Sequence, residues 1–244
     1  MIKEIFDSFY KAVFLKERYK FILTGVKNTL SISLISVIIG VVIGIIIAII
    51  NSYNKETRKA KILSNICKLY VSIIRGTPVL LQLMIIYYVA FRDVRNLNLI
   101  LVASLAFGIN SGAYVAEIIR AGLESIDKGQ MEAGRSLGLN YFQTLKLIIM
   151  PQAFKNILPA IGNEFIALIK ETSVAGYIGV MELTKASDII ASRTYDYFCP
   201  LIIVALIYWC IVVMLTKILN LFEGRLTKCL KWKILLRVLM VKKF

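Results

Sequence analysis

The chain has 244 residues, 58% of them hydrophobic, and 30 Lys and Arg against 15 Asp and Glu give a formal net charge of +15; its mean hydropathy is +0.74. Several stretches of ~20 residues carry few or no charges, as bilayer-crossing helices do, and their close spacing excludes a separate soluble domain. The absence of histidine and of a glycine-rich loop ending in Gly-Lys-Ser or Gly-Lys-Thr removes the commonest general base and metal ligand, and P-loop ATP hydrolysis by this chain.

Residues 1–23 form an amphipathic segment, with Ile2, Ile5, Phe6, Phe9, Val13 and Phe14 near one helical face, which predicts an interfacial helix lying on the membrane. Its acidic residues argue against a cleaved signal peptide. The first span is expected over 29–50, followed by a loop at 51–61 whose Lys55, Arg58, Lys59 and Lys61 place it on the cytoplasmic side. A second span at 66–91 is interrupted by Arg75-Gly76-Thr77-Pro78, where proline removes a backbone donor and bends the helix. The third span is expected at 99–119.

The stretch 121–156 is too polar for a span and too long for a turn. Asp127 with Gln130 suggests a helix-starting capping box, and Gly138 with Asn140 marks a break before the next helix. A fourth span at 157–178 contains Glu164, Lys170 and Glu171, so hydropathy alone scores it poorly, whereas the last, 198–222, is clean. Residues 224–244 form a basic tail expected on the cytoplasmic surface. An odd number of spans places the N-terminus outside, although Lys3, Lys11, Lys16, Arg18, Lys20 and Lys27 pull the other way. The charge excess is matched to an anionic membrane surface rather than to nucleic acid. Cys67, Cys199, Cys210 and Cys229 are scattered and read as free thiols.

Glu132-Ala133-Gly134-Arg135-Ser136-Leu137-Gly138 is followed, after nine residues, by Ile148-Ile149-Met150-Pro151. This resembles the cytoplasmic Glu-Ala-Ala loop of ABC importer permeases in spacing throughout, departing only at Gly134 and Met150. Small residues suit close docking and a glycine suits the sharp turn after the helix. Arg75-Gly76-Thr77-Pro78 with Gln82, Asn110-Ser111-Gly112-Ala113-Tyr114 with Glu117, Arg120 and Gly122, Gly129-Gln130, Pro151-Gln152-Ala153 and Lys170-Glu171-Thr172-Ser173 are similar to the polar amino-acid branch, of histidine and glutamine permease type.

The resemblance covers 24–223. It implies an all-α membrane protein with about five transmembrane helices of the ABC importer permease fold, dimerised with a second copy or a related permease in a prokaryotic cytoplasmic membrane. It further implies a non-catalytic subunit that translocates polar amino acids by alternating access. Partner ATPase subunits would hold ATP and Mg and dock on a coupling helix formed by Glu132, Ala133, Gly134, Arg135, Ser136 and Gly138, and an extracytoplasmic amino-acid-binding protein would deliver the substrate.

Ionisable groups inside a membrane are costly and are functional candidates by default. Asn110, Tyr114 and Glu117 share one face of the third span, and Asn163 and Lys170 one face of the fourth; these stripes, with Arg75, Gln82 and Glu164, are the expected substrate path. Arg75 either faces the path or satisfies carbonyls freed at the break. An ion-gradient-driven secondary transporter or channel, the alternative, predicts paired broken helices in internal repeats, and no second Arg75–Pro78 break is present.

Overall fold

The computed structural model describes the backbone of residues 2–241 and the side chains of residues 8–224. The side chains of the basic tail and Cys229 lie outside the described residues. Helices α1 (Ile2–Val13), α2 (Tyr19–Thr57), α3 (Lys61–Gly76), α4 (Val79–Ile85), α5 (Leu99–Glu124), α6 (Lys128–Ser136), α7 (Tyr141–Thr144), α8 (Met150–Glu171), α9 (Leu183–Thr194) and α10 (Phe198–Val241) follow in order. Wider turns extend α4 through Ile86–Ala90 and join α7 to α8 through Leu145–Ile149, and a tighter 3-10 stretch, Thr172–Ile178, follows α8.

Among the described residues three helical stretches are long and apolar enough to cross a membrane: Leu15–Thr57, Leu99–Glu124 and Phe198–Gly224. The sequence break at Arg75–Pro78 is real and sharper than a kink, because Lys61–Gly76 and Val79–Ala90 meet at 111°. The helix α8 is 22 residues long but carries Glu164, Lys170 and Glu171, and it is not among the apolar spans.

The centre of the bundle is the seam between α2 and α5, where small residues from each helix receive larger ones from the other. A Cβ on Gly44 would lie 2.6 Å from Val115 Cγ1, and one on Gly112 would lie 2.7 Å from Ile43 Cγ2. Gly40 faces Ser111 and Gly108 faces Ile39 in the same reciprocal way. Lipid supplies no hydrophobic drive between helices, so such close backbone approach supplies the association through van der Waals contact. The Ser36 hydroxyl donates to the Ser104 carbonyl at 3.1 Å, adding a buried polar tie across the seam.

Side-chain contacts fix which ends lie together. The start of α2 meets α9, with Gly25 against Leu183 and the Asn28 amide donating to the Met181 carbonyl at 2.8 Å. Its far end meets the 121–156 loop, where Arg135 pairs with Glu56 at 3.1 Å and Tyr53 stacks on Phe142. The segment 51–61, expected to be a loop, is helical through Thr57 because α2 runs past its apolar span and turns only at 58–60; it shares one end of the bundle with the 121–156 segment, and the N-terminal end of α2 lies at the other. Cys67 and Cys199 are buried free thiols and Cys210 an exposed one.

Candidate functional site: an exposed loop helix and a charged strip

At the loop end, α6 starts at Asp127, whose carboxylate accepts the Gly129 amide at 2.7 Å. The expected reciprocal capping box with Gln130 is not made, since the Gln130 side chain instead accepts from Gln152 at 3.4 Å. The reciprocal box lies at the next helix, where Gln143 N–H donates to Asn140 Oδ1 at 2.9 Å and Asn140 N–H to Gln143 Oε1 at 2.8 Å. Between the two helices Gly138 holds φ +83°, a conformation costly to any residue bearing a Cβ.

Within α6 the small residues divide into two roles. Gly134 is buried against α7, where a Cβ would collide with Thr144 Cγ2, so its close approach is made inside the chain. Glu132, Ala133, Ser136 and Gly138 are exposed. Arg135 is tied back to Glu56. Beside them Leu137 is 80% exposed, a large apolar side chain at the tip of the loop that sequence reasoning did not single out. The available signal in the sequence was a lone leucine set between Ser136 and Gly138, directly before the glycine that ends the helix.

On the membrane part the structure gathers some predicted residues and separates others. Arg75 lies 3.3 Å from Glu117 and its guanidinium sits 5.7 Å from the Tyr114 ring centroid. Glu117 is also held by Arg120 at 2.8 Å, and Arg120 reaches Glu124 at 2.6 Å. Two cations and two carboxylates thus form one half-exposed strip from the break in α3–α4 down α5. Arg75 satisfies no carbonyl at the break. That task falls to Gln82, whose Nε2 donates to the Ile74 carbonyl at 2.8 Å, the Thr77 carbonyl at 3.1 Å and the Thr77 hydroxyl at 2.8 Å.

Gln82 and Asn110 are 8% and 3% exposed and hydrogen-bonded to each other, apart from the strip. Glu164 accepts from the Ser111 hydroxyl at 2.8 Å, another partner missed from sequence because serine on a helix back-bonds more often than it bridges. Asn163 and Lys170 are exposed on the same side of α8, as their spacing of seven predicts. Among the described residues no cluster of three or more His, Cys, Asp or Glu could hold a metal ion.

A second polar centre, unforeseen, lies at the opposite end of the bundle. Glu182 is 1% exposed and caps α9 by accepting the Thr184 and Lys185 amides at 2.5 and 2.6 Å. It also accepts from the Tyr208 hydroxyl at 3.3 Å. Burial pushes its carboxyl up to about 7 against the opposing pull of those donors.

Residues 13–228 match the family described as the inner membrane component of binding-protein-dependent transport systems. The chain belongs to this family. It is 40% identical over 207 residues to a putative glutamine transport system permease protein of Rickettsia bellii, covering 84% of this chain and 93% of that one. An arginine transport system permease protein of Bacillus subtilis is 43% identical over 166 residues, covering 66% of this chain and 74% of the relative. A crystal structure of an amino acid ABC transporter with histidines superposes with a TM-score of 0.78 at 42% identity, over 85% of this chain and 94% of that one. The fold is that of an ABC importer permease, as the loop and break motifs predict.

Proposed function

We propose that this chain is the membrane-spanning permease subunit of an ATP-driven importer for polar amino acids in a prokaryotic cytoplasmic membrane. The observation that carries the reading is the loop end of the bundle. The short helix α6 is held from behind by Gly134 on Thr144 and by Arg135 on Glu56, and it presents Glu132, Ala133, Ser136 and Leu137 outward. A helix braced against its own bundle transmits force instead of flexing. ATPase subunits holding ATP and Mg dock there; their closure on ATP draws the coupling helices of two permeases together and opens the pair outward, and hydrolysis resets it. The chain itself catalyses nothing.

Five crossings are counted in this reading: α2, the bent pair α3–α4, α5, α8 and α10. The strip of Arg75, Tyr114 and Glu117, together with Asn163, Lys170 and Glu164, lines the path between this chain and a second permease, a copy or a relative. Paired opposite charges suit the ammonium and carboxylate of a zwitterionic amino acid, delivered by an extracytoplasmic binding protein. Gln82 and Asn110 hold the bend that carries Arg75 and act through position. The names of the relatives, for glutamine and arginine transport, support the polar amino-acid class.

The coupling assignment is tested by co-purification. Glu132→Lys and Gly138→Asp are expected to release the ATPase while the permease stays folded in the membrane. Full retention of the ATPase with normal transport in both variants would contradict it.

A further inference from the structure

The turn between α2 and α3 gathers positive charge that no acidic side chain among the described residues neutralises. Arg58 adopts a left-handed conformation, φ 56°, and ends α2, so that Lys55, Arg58, Lys59 and Lys61 crowd one corner. Among the described residues none of these four, nor Lys68, makes an ion pair, and Glu56, the acid of the segment, is taken by Arg135. The first turn of α3 adds unpaired amides, because Ala60 at its N-cap has no side chain to accept them.

Apolar surface runs directly on from this corner. Ile62, Ile66, Leu69 and Ile73, spaced at four, three and four residues, are 80%, 57%, 61% and 52% exposed and form a stripe down α3. Lys61, Asn65 and Lys68 run beside it on the adjoining face. Two grooves that share Lys61 mark the junction. One, of about 510 Å³, is lined by Lys59, Ala60, Lys61, Ile62, Leu63 and Ile66. The other, of about 380 Å³, is walled by Lys55, Arg58, Lys61 and Lys68 with Asn54 and Asn65.

We propose that this corner is a binding site for one anionic phospholipid, its phosphodiester held among Lys55, Arg58, Lys59 and Lys61 and an acyl chain laid along Ile62, Ile66 and Leu69. Cations and an apolar stripe that meet end to end match the two halves of a lipid, whereas a soluble phosphate would use only the first. A second copy of the chain would bring a like-charged surface to the same place, and an acidic protein would have no use for a stripe buried in the bilayer. Opposite charge at a membrane surface supplies the selectivity for an anionic over a zwitterionic headgroup. The proposal rests on the membrane-spanning reading and is independent of the substrate.

The test uses the assembled transporter in phosphatidylcholine nanodiscs doped with a photoreactive phosphatidylglycerol, with crosslinked peptides mapped by mass spectrometry. Crosslinks are expected to concentrate between residues 58 and 70. They should fall ~10-fold when Lys55→Gln, Arg58→Gln, Lys59→Gln, Lys61→Gln and Lys68→Gln are combined. Should that variant fail to assemble, the wild-type complex gives the same answer by competition, since unlabelled phosphatidylglycerol should displace the probe and added phosphatidylcholine should not. Even labelling around the perimeter, equal labelling by a photoreactive phosphatidylcholine, protection by excess inorganic phosphate, or an unlabelled corner covered by ATPase or second permease would each overturn the proposal. ATP-driven uptake, measured on the same preparation, fails or stands separately.

Discussion

Asn110 donates its amide N–H to Gln82 Oε1 at 2.9 Å, and through that bond a residue in the middle of α5 sets the orientation of the side chain that closes the break between α3 and α4. With its oxygen engaged, the Gln82 amide nitrogen points at the carbonyls of Ile74 and Thr77, which Pro78 and the 111° turn leave without helical donors. A backbone break in a membrane is tolerated where such partners are supplied.

Replacing Asn110 by Leu should therefore lower stability by about 1–3 kcal/mol, the cost of leaving a buried amide unpaired. Gln82→Leu should cost at least as much, and the double variant less than the sum, by a coupling of about 0.5–3 kcal/mol. Thermal unfolding in detergent reads this. Additive losses would show that the two side chains act independently, and a raised KM for uptake with stability unchanged would place the pair on the substrate instead.

The seam between α2 and α5 should be the least forgiving place in the bundle. Gly112→Val, which must displace Ile43, is expected to destabilise by about 1–3 kcal/mol or to abolish membrane accumulation. Gly76→Ala, with open space around its Cβ, is the control and should be near neutral by the same assay.

At the loop end two neighbouring changes should separate. Arg135→Ala removes a half-exposed ion pair with Glu56 and should alter stability by less than about 1 kcal/mol. Gly134→Val drives a side chain into Thr144 and should loosen α6 from α7, reducing ATPase retention on co-purification while the permease stays in the membrane. Undiminished ATPase retention in Gly134→Val would show that the packing of α6 on α7 does not matter for docking.

Glu182 supplies a pH dependence. Its carboxyl is raised from 4.5 to about 7, so between those values the folded protein holds a proton that the unfolded chain has released. Stability from this group is full below pH 4.5 and is lost as pH rises to about 7, on the order of a few kcal/mol in all. Thermal melts of the wild type should fall over that window, and Glu182→Gln should flatten the slope. An unchanged slope would mean that other groups carry it.

The long apolar spans, the break at Pro78 and the turn at Gly138 were legible because each has a local cause: uninterrupted hydrophobicity, a missing backbone donor, a positive φ. Face sharing was legible too, and Tyr114 with Glu117 does meet Arg75. What sequence could not give is which partner a polar group takes across helices. Gln82 lies buried against Asn110 and Gly134 packs on Thr144, contacts that depend on how distant segments pack and that spacing along one helix does not fix. The Asp127 box failed because its Gln130 found Gln152, distant in sequence, at 3.4 Å. Glu182 was invisible for the same reason: its partner Tyr208 lies on α10.

The most direct measurement is uptake of a labelled amino-acid panel by proteoliposomes holding this chain, its ATPase and its binding protein, with and without internal ATP. Accumulation of a polar amino acid only when ATP is present is the predicted result, and Glu117→Gln should reduce it. Uptake that continues without ATP but stops when an ion gradient is collapsed would contradict the importer function and favour a secondary transporter.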